Sequence, residues 1–88
     1  MITETIFVVN WLRETNDGNY AGVAPKAFKT RKQTEEYLQE VLTSEKNDWL
    51  SRMSEDEFEC DFERGQIHDN GYNEIITFEI REVDFYIV

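Results

Sequence analysis

The chain predicts an α+β domain: a small antiparallel β-sheet of about four to five strands with one or two helices packed on one face, in the order β-β-α(-α)-β-β. Three observations predict it. Residues 5–13 and the stretch from Ile76 to the end are rich in β-branched and aromatic side chains. The dipeptides Asp17-Gly18 and Asn70-Gly71 mark hairpin turns. Between them, Thr30-Arg31-Lys32-Gln33 matches a helix capping box and precedes a run of helical periodicity.

Length and composition allow one domain with one core. The chain has 88 residues, of which 40% are hydrophobic and 14% aromatic. That aromatic content separates it from acidic chains too polar to fold.

The first strand, Thr-Ile-Phe-Val-Val-Asn-Trp-Leu-Arg, is apolar on both faces, with Ile6, Val8 and Leu12 on one and Phe7, Val9 and Trp11 on the other. A strand of that kind belongs in the middle of a sheet. In a domain this small the second face is expected to be only partly covered, leaving Phe7 or Trp11 at a surface. With Asp17-Gly18 as a type I′ turn, Tyr20 to Ala24 pairs back as a short edge strand, limited by Gly22 and Pro25 and ending near Ala24 or Phe28.

The helix starts after Thr30, with Tyr37, Leu38, Val41 and Leu42 on its apolar face and Glu35, Glu36, Gln39 and Glu40 outward. Thr43, Ser44, Asn47 and Asp48 prefer caps and turns to helix interiors. A break there, with a second short helix carrying Trp49, Leu50 and Met53, is favoured over one bent helix running to Met53.

Residues 55–63 read Glu-Asp-Glu-Phe-Glu-Cys-Asp-Phe-Glu, six carboxylates in nine positions. Phe58, Cys60 and Phe62 alternate with Glu57, Glu59, Asp61 and Glu63, the period of a strand with one buried and one solvated face. Glu55 and Asp56 form the connection into it. A competing capping box, Ser54-Glu55-Asp56-Glu57, would instead start a helix with Phe58 and Phe62 on one face. After the Asn70-Gly71 turn, Ile76, Phe78 and Ile80 alternate, but Val83, Phe85 and Ile87 have the opposite parity. That switch predicts a bulge or bend near Arg81-Glu82.

Catalytic signals are poor, and the chain is expected not to be an enzyme. It has one Cys and one His, no Gly-x-Ser-x-Gly elbow and no phosphate-binding loop. Cys60 is expected to be a small buried hydrophobe and His68 an ordinary surface imidazole. Together they offer two zinc ligands where three or four are needed. The acidic loops lack the pattern and central Gly of an EF-hand, so no metal and no cofactor are expected.

Charge is the remaining signal. The net charge is −10; residues 1–32 carry five basic and three acidic side chains, and residues 33–88 carry four basic and sixteen acidic. Such a field repels nucleic acid and anionic membrane and draws basic partners. The expected function is a small acidic binding protein whose partner-binding residues are Glu55, Asp56, Glu57, Glu59, Asp61 and Glu63. A basic protein is the expected partner, in the form of a nucleic-acid-binding protein that the acidic row inhibits by mimicking phosphates.

In size and charge alone the chain resembles small acidic inhibitors of phages and mobile elements, including anti-restriction and anti-CRISPR proteins; no motif carries that resemblance. The alternative is an assembly module that forms a homodimer through its first strand or through Phe85-Tyr86-Ile87-Val88, with acidity serving only solubility. The start, Met-Ile-Thr-Glu-Thr, lacks the basic region and apolar run of a signal peptide, so a cytoplasmic location is expected.

Overall fold

A computed structural model describes residues 2–87 and the side chains of residues 3–84. Five antiparallel strands form one sheet, and one helix covers one of its faces. The elements are β1 (Ile2–Thr15), β2 (Gly18–Phe28), α1 (Arg31–Leu50), a 3₁₀ turn (Glu55–Glu57), β3 (Phe58–Asp61), β4 (Gln66–Asp69) and β5 (Glu74–Ile87). Spatial order is β2-β1-β5-β4-β3, so the doubly apolar β1 is an interior strand, as its composition requires.

The first hairpin differs in detail from a type I′ turn. Thr15 pairs with Gly18, so Asn16 and Asp17 make the two-residue loop. Positive φ falls on Gly18 (142°) and on neither loop residue. The Thr15 hydroxyl holds the turn, donating to the Gly18 carbonyl at 2.8 Å and accepting from the Asp17 N–H. β2 then runs eleven residues, to the far limit expected for it. It passes Pro25 because the ladder is irregular there: Val23 pairs with Asn10 and Ala27 with Val8, leaving three β2 residues opposite Val9. A residue without an N–H fits such an irregularity on an edge. Gly22 lies under the Trp11 indole, where a Cβ would come within 2.6 Å of the ring.

Helix α1 begins where the capping box places it. Thr30 Oγ1 accepts the Gln33 N–H at 3.2 Å and donates to the Gln33 side chain. The expected break at residues 43–48 is absent, and α1 continues unbroken to Leu50. Tertiary contacts outweigh the local preference. Leu42 and Trp49, two turns apart, are both fully buried, each contributing about 1.5–3 kcal/mol by removal from water. Between them Glu45 accepts from Trp49 Nε1 at 3.1 Å and from Arg13 of β1 at 2.6 Å. Within the helix the Thr43 hydroxyl donates to the Gln39 carbonyl at 2.8 Å.

Both readings of residues 54–63 are partly realised. Ser54 opens one 3₁₀ turn, with its hydroxyl on Glu57 Oε1 at 2.7 Å, and the chain then enters β3. That strand is only four residues long. Asp61 ends it by accepting the N–H groups of Glu63 and Arg64, and Gly65, at φ 66°, completes the reversal into β4.

The bulge expected at Arg81-Glu82 is also absent. β1 and β5 pair residue for residue from Thr15↔Glu74 to Ile2↔Ile87. The parity of the apolar residues changes because the covered face changes. Over the body, Ile76 and Phe78 point toward α1 and join Val9, Leu42, Trp49, Phe58 and Ile67 in the core. Farther out β1 and β5 form a two-stranded ribbon, where Val83 pairs with Ile6 on the opposite face. The covered face carries Phe7, Val9 and Trp11, of which Val9 is fully buried while Phe7 and Trp11 stay partly exposed, and the open face carries Ile6, Val8 and Leu12. The side chains of Phe85-Tyr86-Ile87-Val88, expected as a self-pairing end, lie outside the described residues.

Candidate functional site

The expected row of carboxylates is spread over three kinds of backbone along one edge of the molecule. Glu55, Asp56 and Glu57 lie on the 3₁₀ turn, Glu59 and Asp61 on β3, and Glu63 in the following loop; all six are exposed. Only Glu59 and Asp61 keep the alternate spacing of a strand, about 7 Å. They lie on the open face, since Phe58 turns into the core and Cys60 packs against it. The others are diverted because β3 is bounded by the 3₁₀ turn before it and the Asp61-capped loop after it.

Neutralisation along this edge is slight. Lys46, itself half-buried, reaches the exposed Glu55 at 3.9 Å, and Arg64 reaches Asp61 at 3.6 Å, both exposed. Exposed pairs of this kind leave most of the field intact. Glu59 lies 3.5 Å from His68 Nε2.

His68 is not the surface imidazole expected. It is 8% exposed on the open face, stacked on Tyr72 with ring centres 4.3 Å apart. Its Nδ1 lies 3.0 Å from the Asp69 carbonyl oxygen. Tyr72 reaches this position through a positive φ of 55° in the β4–β5 loop, which Asp69 Oδ1 closes by accepting the N–H groups of Asn73 and Glu74. The left-handed residue is thus Tyr72 and not Asn70 or Gly71. No property of residues 68–72 in sequence signals the stack.

Cys60 and His68 form no dyad, because Cys60 pairs with Ile67 and packs on the core while His68 pairs with Glu59 on the other face. Burial pushes the Cys60 thiol up, against the pull of Lys46, so it is a poor nucleophile. Among the described residues no group of three His, Cys, Asp or Glu side chains converges as a metal site. A second set of charges is structural: Arg13 pairs with Glu45 and Glu74, and Arg52 with Glu74 and Asp48. Burial opposes the Arg13 charge, but hydrogen bonds and attraction from Glu45 and Glu74 outweigh it and raise its pKa.

The strand order turns a charge bias along the chain into one across the molecule. The acidic edge is β3. At the opposite edge, where β2 enters α1, lie Lys26, Lys29, Arg31 and Lys32, none in an ion pair among the described residues. Lys26 lies over the Tyr37 ring and Arg31 over the Phe7 ring. Among the described residues no helix is long and apolar enough to cross a membrane. Comparison with protein families, curated proteins and solved structures finds no match.

Proposed function

We propose that this is a small, non-enzymatic acidic binding protein that presents its β3 edge to a basic protein surface of the kind that holds DNA or RNA, in the manner of an inhibitor. The observation that carries this reading is the exposure of Glu55, Asp56, Glu57, Glu59, Asp61 and Glu63 along one edge, with two weak counter-charges. Carboxylates held on an ordered backbone lose less conformational freedom on binding than those of a flexible tail.

A low-salt pull-down from the native host's lysate, eluted with a salt gradient, tests the reading. A nucleic-acid-processing protein competed away by DNA or RNA is the expected capture, and stepwise replacement of Glu57, Glu59 and Asp61 by Gln moves its elution to lower salt. Unchanged elution across that series would rule the reading out.

A second reading, self-association, is favoured by the open face. Leu12 and Val23 are 39% and 58% exposed there beside Ala21 and Thr77. Glu79 and Arg81 sit side by side on the same face, a pair that a two-fold related copy matches in reverse. Sedimentation as a monomer at high concentration would exclude it.

A further inference from the structure

The sheet has an interior strand that becomes an edge partway along. β4 pairs with β5 only from His68↔Ile75 to Gln66↔Thr77, and the Phe78 N–H then donates to the Gly65 carbonyl at 2.7 Å. Beyond Phe78, β5 stays paired to β1 on one side and has no strand on the other. In an antiparallel strand the N–H and C=O of successive residues point to alternate sides. The Phe78 N–H points outward in the sheet, so the backbone groups of Ile80, Glu82 and Asp84 point outward as well, and those of Glu79, Arg81 and Val83 point to β1. Among the described residues, no backbone hydrogen bond satisfies that outward side after Phe78.

β1 is also open on its outer side beyond Phe7, where β2 ends at Phe28, but there its one charged side chain is Glu4 and Arg31 lies over Phe7, which disfavours a basic partner. The edges of β2 and β3 are blunted in ways this one is not. β2 carries Pro25 and an irregular ladder, and β3 is four residues long. The β5 edge is regular and borders a groove of about 550 Å³ lined by Glu35, Leu38, Gln39, Phe62, Glu63 and Ile80. The groove has an apolar floor, Leu38, Phe62 and Ile80, with carboxylates at its rim. Glu82 and Asp84 continue the acidic side along the strand, and the one basic residue of β5, Arg81, is paired with Glu79 at 3.5 Å.

We infer that this free edge of β5 accepts an extended, lysine- or arginine-rich segment of a partner protein as a sixth strand. The added strand would take the outward hydrogen bonds of Ile80, Glu82 and Asp84 and seat an apolar side chain in the groove. The inference rests on the acidic-binder reading above and adds the place and manner of contact. Charge selects the occupant. In antiparallel pairing with a second copy, the registers that match the most residues without running into β4 set Glu82 against the copy's Asp84 twice, or Asp84 against itself. Directly opposed like charges are destabilising, whereas a basic strand meets carboxylates at Glu35, Glu63, Glu82 and Asp84.

The test is a titration of the isotopically labelled full chain, at low salt, with an eight-residue peptide whose alternate positions are Lys, Lys, Val and Thr with Thr between them, so that in antiparallel pairing both lysines and the valine share the face of Asp84, Glu82 and Ile80, and with its counterpart in which Glu replaces Lys. The lysine peptide is expected to slow hydrogen exchange at the amides of Ile80, Glu82 and Asp84, while Glu79, Arg81 and Val83, already bonded to β1, do not change. Glu82→Pro, which removes an outward N–H without touching the β1 ladder, should weaken binding about tenfold, and Glu82→Gln about twofold.

Perturbation confined to β3 and the 3₁₀ turn would overturn strand addition and leave the acidic-edge reading standing. Concentration-dependent protection of the three amides without peptide would also overturn it, by showing a second copy in place. Absence of any response to the lysine peptide overturns it too, and the broader reading is then decided by the pull-down with the β3-edge variants. Because the exchange measurement uses the unmodified chain, the outcome does not depend on the proline variant folding.

Discussion

The body of the sheet and the ribbon beyond it are made of the same two strands under different constraints. In the body, β1 and β5 are held by α1 above and by β2 and β4 at their sides, and Val9, Ile67, Leu42 and Trp49 are fully buried. In the ribbon they hold only each other, and the molecule is drawn out to 51 Å in a body 26 Å and 18 Å across. Folding free energy is therefore concentrated in the body, while the ribbon leaves backbone groups unpaired and β3 with its flanking turns exposes its carboxylates.

The largest expected effect strikes the body. Trp49→Ala empties a fully buried site and frees Glu45 from its indole partner, costing about 3–5 kcal/mol. Urea denaturation should show the loss, and a cost below about 1 kcal/mol would break the contrast between the two regions. Gly65→Ala comes next. Its Cβ would sit 2.5 Å from the Phe78 carbonyl oxygen at a φ of 66°, so roughly 1–3 kcal/mol of strain is expected. The same variant should loosen the junction where β4 leaves β5, visible as faster exchange at the Phe78 amide.

Thr30→Ala removes the helix cap and should cost about 1 kcal/mol. In the ribbon, Thr5→Ala removes an exposed hydrogen bond to Asp84 and should change stability by less than about 0.5 kcal/mol. A larger loss would show that the ribbon contributes to folding as the body does.

The smallest effect concerns pH. Burial raises the Cys60 pKa, so the folded state holds its thiol proton more tightly than the unfolded chain. Its contribution is complete below the ordinary thiol value and is lost as pH rises through the raised one. Stability of the wild type should therefore fall above about pH 9 more than that of Cys60→Ala. Alkylation of the native protein should be slower than in urea.

Much of this was legible in the chain. Interior placement of β1 follows from its two apolar faces, and the start of α1 from Thr30 and Gln33, because a cap is a contact three residues long. The α+β arrangement follows from where the strand-like and helix-like stretches fall, and the surface position of the six carboxylates from the cost of burying them. These are properties of nearest neighbours in sequence or of single side chains in water.

Other features were decided only by tertiary contact. Residues 43–48 stay helical because Leu42, Glu45 and Trp49 have partners on the sheet that outweigh the turn preference of Thr43, Asn47 and Asp48. The apolar parity of β5 switches without a bulge because α1 covers one end of the strand and not the other, and coverage is invisible in a one-dimensional pattern. His68 is buried by a tyrosine that reaches it through a loop conformation rare for its type. The charge bias becomes a bias across the molecule because the strand order sets β2 and β3 at opposite edges, and strand order depends on pairings between residues far apart in the chain.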